Sequence, residues 1–216
     1  SNSPDTDGLT GWTQSGGWST TSSDAYSGST SINTGTYSTN ATKTLTTTNS
    51  FDFSNSNEVL IQFYSKWDIE RNYDYVEVLG SPDGGSNWVS LSGKYTKPEA
   101  TSTTTNHDNK SSSYSTFQSG SSGNIYDGDR MDNWVMEEFV IDDSYSTLLN
   151  SNDVRIRFRF RTDALNVNES YTTTNDGYFI DDFKIISLQI PCETTVPTNL
   201  AANSITASTA EITWDN

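Results

Sequence analysis

The chain reads as an all-β protein, a two-sheet antiparallel β-sandwich of jelly-roll type. Three observations lead there. Period-two alternation recurs along the chain, and no stretch sustains an apolar repeat of 3.6 residues. The alternating runs are separated by clusters of Gly, Pro, Asn, Asp and Ser, which are turn formers. Aromatic residues make up 12% of a chain that is only 31% hydrophobic, so Trp, Tyr and Phe are expected to build the core.

The strands follow in order. In "EVLIQFYSKWDIE", Val59, Ile61, Phe63, Ser65 and Trp67 line one face. In "DYVEV", Val76 and Val78 share a face opposite Tyr75 and Glu77. "NWVMEEFVID" supplies a further strand. In "VRIRFRFRTD", Val154, Ile156, Phe158 and Phe160 point one way, and Arg155, Arg157, Arg159 and Arg161 the other. That is a half-buried strand with a cationic outer stripe, expected to pair with acids on neighbouring strands. "DGYFIDDFKI" closes the set, and "SPDGGSN", "YDGDRMDN" and "TTTNDG" supply turns.

Two regions differ. Residues 98–123 are rich in Ser and Thr and read as a surface insertion. The sandwich is expected over residues 1–189, with a linker and a truncated fibronectin type III fragment over 190–216. The cues for that fragment are Pro197, Leu200, Ala210, Ile212 and Trp214. A parent protein of several modules follows as an expectation.

Asp and Glu number 28 against 12 Lys and Arg, giving a net charge of -16. Nucleic acid is excluded as a partner, because phosphate binding needs clustered cations. No apolar run approaches the roughly 20 residues of a membrane span. Cys192 is the single cysteine, which excludes an internal disulfide. The chain begins at Ser1 without a signal-peptide pattern, so an export signal is expected upstream or already removed.

Catalysis is not expected of this chain. Its one histidine, His107, lies in the insertion, where nothing rigid would orient an imidazole. A hard cation suits the composition better. Asp181 shares a strand face with Phe179 and Phe183, and a buried carboxylate needs a cation or an arginine. Calcium takes six to eight oxygens from carboxylates and carbonyls. The expected structural calcium ligands are Asp181, Asp182, Asp176, Glu70, Asp74, Asp68 and Asp163. A secondary site is read in "YDGDRMDN" from Asp127, Asp129 and Asp132, which lacks the closing Glu of an EF-hand. Tryptophans are expected to pack in the core or at its edge. Tyr95, Tyr114, Tyr126 and Tyr171, near the insertions, are the candidates for an exposed contact surface.

"SFDFSNSNEVLIQFYSKWDIERNYDYVEV", "SPDGGSNWVSLSGKYT", "NWVMEEFVID", "VRIRFRFRTD" and "DGYFIDDFKI" form an ordered series. The series resembles the β-sandwich domains that follow the catalytic domain in secreted Bacteroidetes zinc carboxypeptidases. It is similar also to immune-inhibitor-A-type modules and to the MAM fold. The spacing of Asp68, Glu70 and Asp74 is similar to the calcium site of CUB domains. The resemblance implies a secreted or cell-surface, non-catalytic accessory module. Its partners would be the catalytic domain of the parent metallopeptidase and a protein or polysaccharide substrate. A carbohydrate-binding module and an adhesin module with the insertion as its contact are the alternatives.

Overall fold

A computed structural model describes residues 1–98, 118, 120–121, 123–129, 133–164, 177–189 and 198–215. Two antiparallel sheets face one another, as the alternation predicts. The first runs in the order β1 (Trp12–Ser15), β4 (Thr42–Thr47), β10 (Arg155–Arg161), β6 (Tyr75–Ser81), β7 (Val89–Ser90). The second runs β2 (Ser19–Thr21), β3 (Ser31–Asn33), β11 (Gly177–Leu188), β5 (Glu58–Ile69), β8 (Gly128–Asp129). β9 (Val135–Ile141) also pairs with β5, along the half that β8 leaves open. The helical elements described over their whole length are α1 (Pro4–Asp7), a 3-10 turn (Asp143–Tyr145) and α2 (Ser146–Leu149). None of these is long and apolar enough to cross a membrane.

The alternating faces meet in the core. Val59, Ile61, Phe63 and Trp67 of β5 oppose Ile156, Phe158 and Phe160 of β10, all buried. Phe158 touches the rings of Trp12, Trp18, Phe63, Tyr178 and Phe183. Both sheets therefore close on one phenyl group.

β6 departs from the expected half-burial, because every residue from Tyr75 to Ser81 is buried. The arginine stripe covers its outer side. Arg159 and Glu77 stand opposite in register and form an ion pair, with Nε 2.8 Å from Oε1. Arg161 donates to the Tyr75 hydroxyl at 3.1 Å. The predicted pairing of the stripe with a neighbouring acid is thus realised at Arg159.

β1 to β4 are strands that apolar alternation does not announce. β4 reads "TKTLTT", and its inner residues are Lys43, Leu45 and Thr47. Lys43 is buried because its ammonium donates to the carbonyls of Thr34, at 2.7 Å, and Thr36, at 2.5 Å. β12 (Thr198–Asn203) and β13 (Glu211–Asp215) pair with each other as a hairpin. The linker expected from residue 190 onward falls, over 190–197 and including Cys192, outside the described residues.

Candidate functional site

Three of the predicted carboxylates converge. Glu70 follows the last residue of β5, Asp74 precedes β6, and Asp163 follows β10. One carboxylate oxygen from each lies within 4.8 Å of the others. The turn between Glu70 and Asp74 is tight. Asp74 N–H donates to the Glu70 carbonyl at 3.1 Å, and Asn72 takes a left-handed φ of 70°. Asn is among the non-glycine residues that tolerate this conformation best. Asn72 N–H is held by Asp127 Oδ2 at 2.8 Å, which anchors the turn to the far strand.

Asp74 is the pivot. The Tyr37 hydroxyl donates to its Oδ2, Asp163 N–H donates to its Oδ1 at 2.7 Å, and Glu70 N–H donates to the Tyr37 oxygen at 3.1 Å. Burial, with Asp163 nearby, pushes the Asp74 carboxyl up to about 7 against these donors. The donor set is wholly oxygen and contains neither imidazole nor thiolate, which fits a hard cation such as calcium. An ion here would replace the proton that burial otherwise favours. Tyr37 has no counterpart in the sequence reading, since it falls in a Ser/Thr-rich stretch without alternation.

The other expected ligands lie elsewhere. Asp181 is fully buried on the same face as Phe179, as predicted, but Phe183 is on the opposite face. A β-bulge intervenes: the register slips after Asp181, and Asp182 takes a φ of 48°. Phe183 therefore joins Trp12 and Phe63 in the core, while Asp181 turns toward the loop between β2 and β3. Its carboxylate accepts backbone N–H groups from Tyr26 (3.0 Å), Ser27 (3.1 Å) and Asp182 (2.8 Å). Three backbone donors thus hold this carboxylate, although burial still pushes its pKa up. Asp182 accepts the Ser27 hydroxyl at 3.1 Å. Neither residue joins the Glu70 cluster. Asp68 belongs to the outward-facing set of β5 and is not one of the three that converge. Asp176 lies outside the described residues.

Of the secondary site, only Asp127 has a described side chain. Asp127 forms an ion pair with Lys97 and accepts the Gln118 amide at 2.7 Å, so its charge is already compensated. Its carbonyl holds the Trp67 indole at 3.0 Å. Asp129 contributes backbone to β8, and Asp132 lies outside the described residues. Glu137 is a buried acid missing from the expected set. It accepts the Tyr126 hydroxyl at 2.8 Å and the N–H groups of Lys94, Tyr95 and Glu138 at 2.7, 3.0 and 2.8 Å. Its alternation with Val135, Phe139 and Ile141 would have marked it as inward-facing.

Tyr126 is corrected accordingly. It is fully buried, edge-on to Trp67, because its hydroxyl finds Glu137 inside. Tyr95 is half-buried against the core, and Tyr114 and Tyr171 lie outside the described residues. Among the described residues, an exposed aromatic surface lies elsewhere. The Tyr26 ring, 45% exposed, stacks on Tyr64 of β5 at 3.3 Å and 9°. Trp134 lies 6.3 Å from Tyr26, its indole donating to Asp24 at 3.2 Å. Met136, cross-strand from Tyr64, is also exposed.

No family model matches the chain, and no curated protein sequence matches it. Several solved structures do. One is TmCBM61 in complex with β-1,4-galactotriose, at 13% identity and TM-score 0.47, over 86% of this chain and 94% of that one. Another is the CBM22-1 xylan-binding domain of Paenibacillus barcinonensis Xyn10C, at 14% identity and TM-score 0.46, over 88% and 93%. A third is the K1 cleaved adhesin domain of Lys-gingipain from Porphyromonas gingivalis W83, at 13% identity and TM-score 0.46, over 86% and 96%.

Proposed function

We propose that the chain is a non-catalytic, calcium-stabilised accessory module of a larger secreted protein, working by attachment rather than turnover. The observation that carries this reading is the Glu70–Asp74–Asp163 cluster, with oxygens from three elements within 4.8 Å. A cation there would tie the β5–β6 turn to the end of β10, so the two sheets would be clamped at one end of the sandwich. The parent read from the sequence resemblance is a secreted zinc carboxypeptidase, whose catalytic domain would be the partner. Chelation is expected to lower the melting temperature, and added calcium to restore it. Saturation near 100 Kd corresponds to about 2.7 kcal/mol, or roughly 5–10 °C for a domain of this size. Asp74→Asn should abolish the response. Identical melting curves with and without chelator would remove calcium from the proposal.

The Tyr26–Tyr64 stack beside Trp134 favours a second reading, carbohydrate attachment on the outer face of the second sheet. An exposed ring held flat by another presents a preorganised face to the C–H side of a sugar. Affinity gels containing plant and marine polysaccharides test it directly. Tyr26→Ala is expected to weaken retention about tenfold, the equivalent of 1.4 kcal/mol, while leaving the melting curve in place. Equal retention of the variant and the parent would count against the platform.

A further inference from the structure

On the opposite side of the sandwich, the outer face of the first sheet carries the arginine stripe, and its four positions are not alike. Arg159 pairs with the buried Glu77, and Arg161 meets the Tyr75 hydroxyl. Arg155 and Arg157 have no carboxylate partner among the described residues. In a chain of net charge -16, two neighbouring guanidinium groups without an acid are unexpected.

One of the two is nonetheless constrained. The Arg157 guanidinium lies 3.8 Å above the Trp88 ring, and its Nε donates to Thr46 Oγ1 at 2.9 Å. Trp88 is fixed in turn by its indole N–H, which donates to the Gly85 carbonyl at 2.9 Å. Arg155, two residues along the same face, has an enclosed Nε with no hydrogen-bond partner among the described residues. Enclosure of a donor without an acceptor is unfavourable, and an oxyanion would relieve it. A guanidinium fixed by stacking loses little entropy on binding and presents a planar fork that matches a carboxylate or sulfate.

The surroundings select the carrier of that anion. Beside the arginines run Thr13, Thr44 and Thr46, which are hydroxyl-bearing. The large exposed apolar side chains, such as Met136, Val140 and Ile186, belong to β9 and β11 of the other sheet or, like Ile212, to the terminal hairpin. A protein partner is gripped mainly through aromatic and arginine anchors in desolvated pockets, and here the Trp88 ring is already covered by the Arg157 guanidinium. A hydroxyl-rich anionic chain needs no such pocket. We propose that Arg155 and Arg157, steadied by Trp88, form a site for the oxyanion of an acidic polysaccharide. It is separate from the Tyr26 platform and does not depend on it.

The test is affinity electrophoresis of the intact chain in three gels. Polygalacturonate supplies carboxylates, a sulfated galactan supplies sulfate esters, and a neutral galactan is the control. Retention by at least one acidic polymer is expected, and the one retained identifies the anion. R155Q/R157Q should weaken it at least tenfold without changing behaviour in neutral galactan. Added salt should weaken it too. Arg157→Lys keeps the charge but loses the fork, and should weaken retention several-fold. If the double variant melts early, this single variant carries the test. Unchanged retention of a well-folded double variant, or no retention by either acidic polymer, would overturn the site. Behaviour in neutral galactan follows Tyr26 instead, so the two readings fail separately.

Discussion

Phe158→Ala is expected to destabilise the domain by about 3–5 kcal/mol, the usual cost of truncating a buried phenylalanine. The ring is wholly buried and meets Phe63 at 5.1 Å and 77°, with Trp12, Trp18, Tyr178 and Phe183 around it. These neighbours come from both sheets and from the segment leading into β2. They cannot collapse onto the vacancy together, because all but Trp18 are held by strand register. Urea unfolding measures the effect as a shift in midpoint at constant slope. Tyr26→Ala, on the exposed platform, is the control, and should stay within about 0.5 kcal/mol of the parent. Comparable losses for the two variants would mean that the core is not centred where the packing places it.

The second large effect concerns pH. Burial raises Asp74 to about 7, whereas an unfolded aspartate titrates near 3.9. Between those values the folded, metal-free chain binds the extra proton. The stability this one group contributes is therefore fully present below about 4 and is lost as pH rises through about 7. Three pH units at ~1.4 kcal/mol each set an upper scale of about 4 kcal/mol. Burial also raises Glu137 and Asp181, which act in the same direction. With calcium the carboxylate is ionised, so the decline should flatten, and calcium affinity should drop as pH falls below about 7. Melting temperatures from pH 4.5 to 8.5, with chelator and with calcium, report both. Asp74→Asn isolates the contribution of this one group. A metal-free curve that climbs from pH 5 to 8 would contradict the assignment.

Much of this molecule was legible in its residues, for reasons that also explain the misses. β9, β10 and most of β5 alternate, since each has one face in the core and large side chains to declare it. β1 to β4 gave no such sign, because Thr and Ser fill strands without marking a face. For the site, Glu70, Asp74 and Asp163 were readable as loop acids at strand ends. That Asp181 would find backbone donors was not, because the bulge at Asp182 depends on how β11 meets β5 and β3. One slipped residue reverses every side chain beyond it, which is how Phe183 left the face predicted for it. The Tyr26–Tyr64 stack was equally invisible: the two rings are 38 positions apart and meet only because a loop folds over the sheet.

The root of the long insertion offers a use of its own. Lys97 and Ile125 exchange hydrogen bonds in both directions, at 2.7 and 3.1 Å, and the Lys97–Asp127 ion pair locks the same neck. Lengthening a segment whose ends are already joined costs only a logarithm of its length. This neck is therefore a natural port for grafting, provided that Gln118, buried and donating to the Asp74 carbonyl and to Asp127, is kept. A reporter peptide, an affinity tag or a whole small domain could be spliced in there, with the sandwich behind it left to fold as before.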